Sequence, residues 1–295
     1  MKKNVFFISV FVLAGMIVSC GGGSSSSKIT VAAELWEDIT ILTQETIVPA
    51  TETTPEYTVL EKTQYDLAKF AQDEDGFYIL FDGKTLNGWR GYNRDDVPGR
   101  WVIDDGAIKF TGSGGGEAQE SDGGDLIFGR KFRNFELSID WKCSMAANSG
   151  IFYLGQEIKG EPLYISAPES QVLDNENHRD ATMGVDGNRT SSSLYDMIPA
   201  NPQNANPFDE WNNTTIIVNN GHIVHKQNGE KVVEYHAYTP QWTELLQISK
   251  FSQESWPLAF ELLNNLGGKN REGYIGLQDH GNDVWFRNIK IKILE

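Results

Sequence analysis

The stretch Asn213–Tyr235, NTTIIVNNGHIVHKQNGEKVVEY, decides the fold class. Apolar and polar residues alternate along it with the period of a strand that has one buried face. Two Asn-Gly pairs, Asn220-Gly221 and Asn228-Gly229, interrupt the alternation. Both central positions of a two-residue hairpin turn need positive φ, which Asn and Gly adopt readily, so three antiparallel strands are predicted here.

The same reading extends outward. FYILF (77–81), RWVIDDGAIKF with a turn at Asp105-Gly106, DLIFG, FELSIDWKC, SGIFYLG, SQVLD, GYIGLQD and VWFRNIKIKIL are further short strands cut by Gly, Asn and Asp turns. About ten antiparallel strands in some 220 residues favour an all-β, two-sheet antiparallel sandwich of jelly-roll type. Two helical pieces interrupt the β pattern. A short N-terminal helix is expected within VLEKTQYDLAKFAQ (59–72), where Leu60, Tyr65, Leu67 and Phe70 have roughly helical spacing. A small helical insert is expected near Pro257 to Leu266, ended by Gly267-Gly268.

Three segments precede or make up the domain. Residues 1–20, MKKNVFFISVFVLAGMIVSC, read as a secretory signal: two Lys, then an apolar run too short to span a bilayer. Ile17-Val18-Ser19 before Cys20 resemble a bacterial lipobox, which makes Cys20 the lipidated N-terminus and anchors the protein to a membrane of the cell envelope, facing the periplasm or the outer surface. An ordinary signal peptide cut nearby is the alternative. Residues 21–75 read as a flexible tether and the leader helix, and the sandwich domain spans 76–295.

Composition narrows the function classes. The net charge is −16, and residues 29–75 carry 11 acids against 2 bases, so no basic face is available for nucleic acid. Cys143 is the one cysteine besides Cys20, and it shares a strand face with Phe135, Leu137, Ile139 and Trp141, as a packed core thiol would. His222 and His225 lie three apart in one strand and point to opposite faces, a poor metal pair. The glycine cluster TGSGGGE (111–117) lacks the spacing of a phosphate loop, and no His-Glu-x-x-His or Gly-x-Ser-x-Gly motif occurs.

Polar residues gather instead in four segments. They are Asn148-Ser149-Gly150, then PESQVLDNENHRD with Glu169, Gln171, Asp174, Glu176 and His178, then SLYDMIPAN with Tyr195 followed by Trp211-Asn212, and finally LQDH with Gln278, Asp279 and His280. Side chains alternate along a strand, so Glu169 and Gln171 share one face while Asp174 takes the other. The same rule puts Tyr274, Gln278 and His280 together and turns Asp279 away, where it would fix the turn. Amides, carboxylates and an imidazole at strand ends suit a polyol ligand, and a solvent-facing Trp such as Trp211 or Trp242 can stack on a sugar ring. Asx turns and satisfied loop residues are the bland alternative.

Taken in order, LFDGKTLNGWRGY (80–92), NSGIFY (148–153), QVLDNENH (171–178), LYDMIPAN (194–201), WNNTTIIVNNGHIVHKQNG (211–229) and GLQDHGNDVWFRNIKIK (276–292) resemble the 3-keto-disaccharide hydrolase family. The resemblance implies a concanavalin-like sandwich and a substrate already oxidised to a ketone at carbon 3 by a separate sugar oxidoreductase. A C3 ketone acidifies the C2 hydrogen, so a base can form an enolate, the C1 substituent leaves, and water adds. By the resemblance Glu169, Asp174 and His280 form the acid/base set, with the choice of base between the carboxylates open. Asn148, Gln171, Gln278 and Asp279 would hold hydroxyls or the ketone, with His178, Tyr195 and Trp211 as further substrate contacts. A divalent cation polarising the ketone is an alternative to a His. The family usually places an Arg near Leu154, and this chain has none there.

Two other function classes compete. A non-catalytic glycan-binding lipoprotein would use the same fold, which lectins and glucanases share. A conventional glycoside hydrolase would carry paired acids in a motif such as Glu-x-Asp-x-x-Glu, which is absent.

Overall fold

The computed structural model describes residues 39–112 and 122–295. The signal segment, Cys20, the tether up to residue 38 and most of the 111–117 glycine cluster lie outside the described residues. In chain order the strands are β1 (Thr43–Val48), β2 (Tyr57–Lys62), β3 (Tyr78–Ile79), β4 (Trp89–Gly91), β5 (Trp101–Asp104), β6 (Ala107–Phe110), β7 (Leu126–Phe128) and β8 (Phe135–Cys143). They continue with β9 (Asn148–Gly155), β10 (Glu169–Leu173), β11 (Asn212–Asn219), β12 (His222–Gln227), β13 (Glu230–His236), β14 (Tyr274–Leu277) and β15 (Val284–Ile293). Helices α1 (Pro240–Gln247) and α2 (Pro257–Asn264) lie between β13 and β14.

Two antiparallel sheets form the sandwich. One has the order β10-β9-β14-β7-β4; the other runs β13-β12-β11-β8-β15-β6-β5, with β3 on the far part of β15. The chain passes repeatedly between the two sheets, as between β8 and β9 and between β14 and β15, in the manner of a jelly roll. The two Asn-Gly turns close β11–β12 and β12–β13, with φ of 50° at both Asn220 and Asn228.

Strand β8 shows why the large sheet buries one face. Phe135, Leu137, Ile139, Trp141 and Cys143 are all buried, and the residues between them are half-buried. Trp141 satisfies its buried indole by donating Nε1–H to Thr214 Oγ1 at 2.9 Å. Burial, then the nearby Asp174 and Asp209 carboxylates, push the Cys143 thiol up to about 12. It is a core thiol, not a nucleophile.

The five-stranded sheet is buried on both faces. Its inner face joins the main core through Leu126, Phe128, Ile151, Tyr153, Val172 and Leu277. On its outer face Ile127, Phe152 and Tyr274 pack with Tyr92, Leu163 and Ala167 in a second apolar layer. Gly276 is part of that layer's geometry, because a Cβ there would lie 2.6 Å from Leu163 Cδ2. Each such buried side chain contributes roughly 1.5–3 kcal/mol of transfer free energy.

The N-terminal region departs from expectation. Residues 59–72 do not form a helix: β2 pairs with β1, and one 3-10 turn at Leu67–Lys69 follows, with the Asp66 carboxylate accepting from Ala68 N–H. Tertiary pairing overrides the helical spacing here. Leu60 N–H donates to Glu157 O and Lys159 N–H to Thr58 O, which ties β2 to the body of the sandwich. The hairpin from Thr43 therefore replaces the last part of the expected tether. The insert contains the expected helix at α2 and a second one, α1, whose N-cap Thr239 accepts from Trp242 N–H and is followed by Pro240.

Candidate active site

Polar residues collect on the outer face of the five-stranded sheet. The β9–β10 register sets Gln171 opposite Gly150 and Leu173 opposite Asn148, so these side chains share that face. Gln278 N–H donates to Gly150 O at 2.9 Å, which carries the chain after β14 alongside them. Asn148, Glu169, Gln171, Gln278 and His280 line one pocket, completed by Tyr164, Tyr195 and Lys250. An apolar recess adjoins it, sharing Tyr164, Glu169 and Tyr195 and lined further by Met197, Phe251 and Leu263. Glu169 thus stands where the polar and apolar parts meet.

Gly150 explains how the carboxylate fits. Glu169 lies across the Gly150 backbone, and a Cβ at that position would collide with the carboxylate and its Cγ. The glycine of NSGIFY is the floor under Glu169.

Asn148 organises the imidazole. Its Nδ2 donates to Asp180 Oδ2 at 3.2 Å and faces His280 Nε2 at 3.4 Å. An amide nitrogen only donates, so Nε2 accepts and the His280 proton sits on Nδ1. Burial lowers the His280 pKa, with the Asp180 carboxylate opposing it, which leaves a neutral imidazole whose basic nitrogen is Nε2. Tyr195 is held the other way: burial, then the Glu169 and Asp180 carboxylates, raise its pKa and keep the hydroxyl protonated.

Two acceptors in this pocket have no partner. Asn148 Oδ1 and Gln278 Oε1 are buried without any hydrogen bond, on residues only 2% and 4% exposed. A buried unpaired carbonyl costs roughly 1–3 kcal/mol, and a ligand hydroxyl would satisfy each. Gln171 is committed instead, since its Oε1 accepts from Val172 N–H and its Nε2 donates to Arg189 O.

Other expected site residues lie elsewhere. The Asp174 carboxylate is turned away and accepts from Ala146, Glu176 and Asn177 N–H and from Asn177 Nδ2, so it builds the turn after β10. Asp279 accepts from Gly124 and Gly281 N–H, and burial raises its pKa; it clamps a loop rather than lining the pocket. His178 caps the 3-10 turn Arg179–Thr182, its Nδ1 accepting from Asp180 N–H, and meets His280 edge to face at 6.3 Å. Tyr274 shares the outer face but packs beneath the Arg90 guanidinium, far along the strand from Gln278. Trp211 sits at the large sheet, with the Arg287 guanidinium 3.8 Å and the Lys142 ammonium 5.4 Å from its ring centroid. Trp242 is buried in the core. His225 is buried and His222 faces outward to Glu234.

Sequence reading missed Asp180, Tyr164 and Lys250. Asp180 closes the run NHRD that had already drawn attention to His178. Tyr164 and Lys250 arrive from segments read only as connection and helix, and nothing in their local spacing signals a pocket.

Residues 76–292 match the family model described as the 3-keto-alpha-glucoside-1,2-lyase-like domain. The chain belongs to this family. A relative from Bacteroides thetaiotaomicron, named 3-keto-disaccharide hydrolase, is 54% identical over 305 residues, covering 100% of both chains. Among solved structures, a Parabacteroides distasonis ATCC 8503 protein provisionally described as a glycosyl hydrolase superposes with a TM-score of 0.63 at 28% identity, over 75% of this chain and 95% of that one. A second protein from that organism, 24% identical with a TM-score of 0.52 over 74% and 99% of the chains, shares the fold.

At the position where the family pattern expects an Arg, Leu154 is a buried core residue with φ of 55°. Among the described residues, no group of three or more His, Cys, Asp or Glu side chains is arranged to hold a metal ion.

Proposed function

We propose that this protein cleaves 3-keto-glycosides, 3-keto-disaccharides among them, by enolate-forming elimination followed by hydration, a net hydrolysis. The observation that carries the reading is the pocket itself. It joins two proton acceptors, the Glu169 carboxylate and His280 Nε2, to two buried orphan acceptors, Asn148 Oδ1 and Gln278 Oε1, suited to sugar hydroxyls. A purely binding groove has no need for two basic groups in one site. The family and the name of the Bacteroides relative support the same substrate class.

The roles of His280 and Tyr195 follow from their protonation states. Glu169 takes the C2 proton, and the electron pair forms the enolate of the C3 ketone. The C3=O bond re-forms and a C1=C2 double bond forms as the C1 substituent leaves, its oxygen taking the proton of the Tyr195 hydroxyl. In the second half-reaction His280 Nε2 takes a proton from water as its oxygen adds to C1, Glu169 returns the proton to C2, and the proton on His280 passes through solvent to restore the Tyr195 hydroxyl. Asn148 and Gln278 hold the ring through its hydroxyls.

Two contextual proposals accompany this reading. The ketone must be made by a separate sugar 3-oxidoreductase, because no step above oxidises carbon 3. The lipobox-like Ile17-Val18-Ser19-Cys20 supports lipid anchoring at the cell envelope. Among the described residues no helix is long and apolar enough to cross a membrane.

The deciding assay sets 3-keto-glucosides against their parent glucosides, with and without chelator. Cleavage of the keto substrates alone is expected; equal rates on both would favour direct hydrolysis by two carboxylates. A rate that collapses with chelator and returns with a divalent cation would bring a metal into the mechanism.

A further inference from the structure

Gln278 brings an uncommitted carboxamide to the pocket. The residue is 4% exposed, its Oε1 is unpaired, and among the described residues none accepts from its Nε2. Its backbone, by contrast, is held on both sides: Gln278 N–H donates to Gly150 O at 2.9 Å, and Ser149 Oγ donates to Gln278 O at 2.7 Å. Gly150 is also the residue over which Glu169 lies, since a Cβ there would meet the carboxylate. The amide and the proposed base are therefore seated on one backbone residue and line one pocket.

A site that deprotonates carbon must also receive the charge it creates. When the C2–H bond breaks, the proton goes to the base, the electron pair enters the C2–C3 bond, and negative charge collects on the C3 oxygen. A preorganised N–H aimed at that oxygen bonds it more strongly as the charge develops. Three amides line the polar pocket, and the structure distinguishes them. Gln171 is committed at both ends, and Asn148 Nδ2 donates to Asp180. Among the described residues Gln278 is thus the pocket amide whose donor has no partner. Whichever way its carboxamide is turned, it presents an N–H and a C=O side by side. That edge matches a ketone flanked by a hydroxyl, with the N–H on the keto oxygen and the C=O on the neighbouring O–H.

Resting on the functional reading above, we propose that the Gln278 side-chain N–H binds the C3 ketone and stabilises the enolate oxygen formed when Glu169 removes the C2 proton, while its C=O accepts from a hydroxyl beside the ketone. Gln278 is then a catalytic residue of the elimination. The amide keeps its protons throughout, and the charge on oxygen disappears when the C1–O bond breaks and the ketone re-forms. Asn148 differs, because its unpaired atom is an acceptor, which serves a hydroxyl and not an enolate.

The test uses the full chain and two probes. A 4-nitrophenyl 3-keto-glucoside reports turnover through nitrophenol release. The 3-keto derivative of 1,5-anhydroglucitol, which has no C1 substituent to lose, reports enolate formation alone through hydrogen–deuterium exchange at C2. Gln278→Glu keeps the shape and an acceptor but loses the amide N–H. It should lower kcat and C2 exchange in parallel by roughly 10²–10³-fold, with KM changed by no more than about threefold. Gln278→Met removes donor and acceptor together, so it should lower kcat comparably and raise KM as well. Because that variant replaces an unpaired buried amide with an apolar side chain, its melting temperature should equal or exceed the wild-type value, which a residue serving the fold would not allow. Either variant with kcat and C2 exchange within about twofold of wild type, or with only KM raised, overturns the inference. Loss of folding in both variants overturns it too, since the amide would then be a structural residue. Wild-type protein that neither cleaves the keto substrate nor exchanges C2 overturns the functional reading itself.

Discussion

Strand β9 carries a histidine-centred polar network on each face, and the two are built differently. Behind the sheet, Tyr153 O–H donates to His225 Nε2 at 2.7 Å, Tyr235 O–H donates to Tyr153 at 2.8 Å, and His225 Nδ1–H donates to Ser192 O at 3.0 Å. Each ring nitrogen and hydroxyl there has a partner. In front, two residues of the corresponding network, Asn148 and Gln278, keep amide oxygens buried and unpaired beside Glu169 and His280. Both histidines are neutral because burial lowers their pKa. Closure, not burial or charge, separates the network that holds the sheets together from the one prepared for a ligand.

The comparison breaks most sharply at Glu169. Glu169→Gln keeps the shape of the side chain over Gly150 but removes its basicity. Turnover of a 3-keto-glucoside should fall by roughly 10³-fold or more, with the melting temperature little changed. Stopped or initial-rate assays measure this directly. Near-wild-type turnover would remove Glu169 from the chemistry and make the front network as structural as the one behind.

A smaller effect of the opposite kind is expected behind the sheet. Tyr153→Phe strips His225 Nε2 of its donor and should cost about 1–3 kcal/mol of stability, read as a shift in denaturant midpoint, while leaving kcat close to wild type. The same network sets a pH dependence. Burial, opposed by the bond to Ser192 O, lowers His225 to about 4. A folded pKa below the unfolded value of about 6.5 means that the unfolded chain binds the extra proton, so stability falls as pH drops from about 6.5 to 4 and levels off beneath. His178 and His280 are shifted the same way and add to the slope. His225→Gln should therefore flatten, not abolish, the acid limb of the stability curve, and an unchanged slope would contradict the assignment.

How far the sequence reveals these networks depends on the range of the forces that build them. The sandwich is legible because strand alternation and Asn-Gly turns act locally, as FELSIDWKC and the paired hairpins of β11–β13 demonstrate. The pleat alone puts Glu169 and Gln171 on one face and Asp174 on the other, and the pocket contains the first two. The same logic fails where distant partners intervene. Leu60, Tyr65, Leu67 and Phe70 have helical spacing, yet Glu157 and Lys159 recruit the segment into strand pairing. Asp174 reads as chemistry because carboxylates look alike in sequence; only its four turn donors distinguish it. Lys250 reaches the pocket through a clamp to Asp196, a contact no local pattern encodes.

The smallest expected effect concerns Trp211, which a sequence reader would place against the sugar. Its ring lies at the large sheet under the Arg287 guanidinium, with Lys142 beyond, and it does not line the pocket on the outer face of the other sheet. The Arg287 guanidinium stacks on the ring where a pyranose would have to lie, so the ring contributes to a surface ladder rather than to substrate. Trp211→Ala should leave kcat/KM for a 3-keto-glucoside within about twofold of wild type, with at most a modest loss of stability from the freed cations. A tenfold or greater rise in KM would mean that substrate reaches the large sheet, and the separation of an open front network from closed packing elsewhere would then no longer describe how this molecule divides its polar groups.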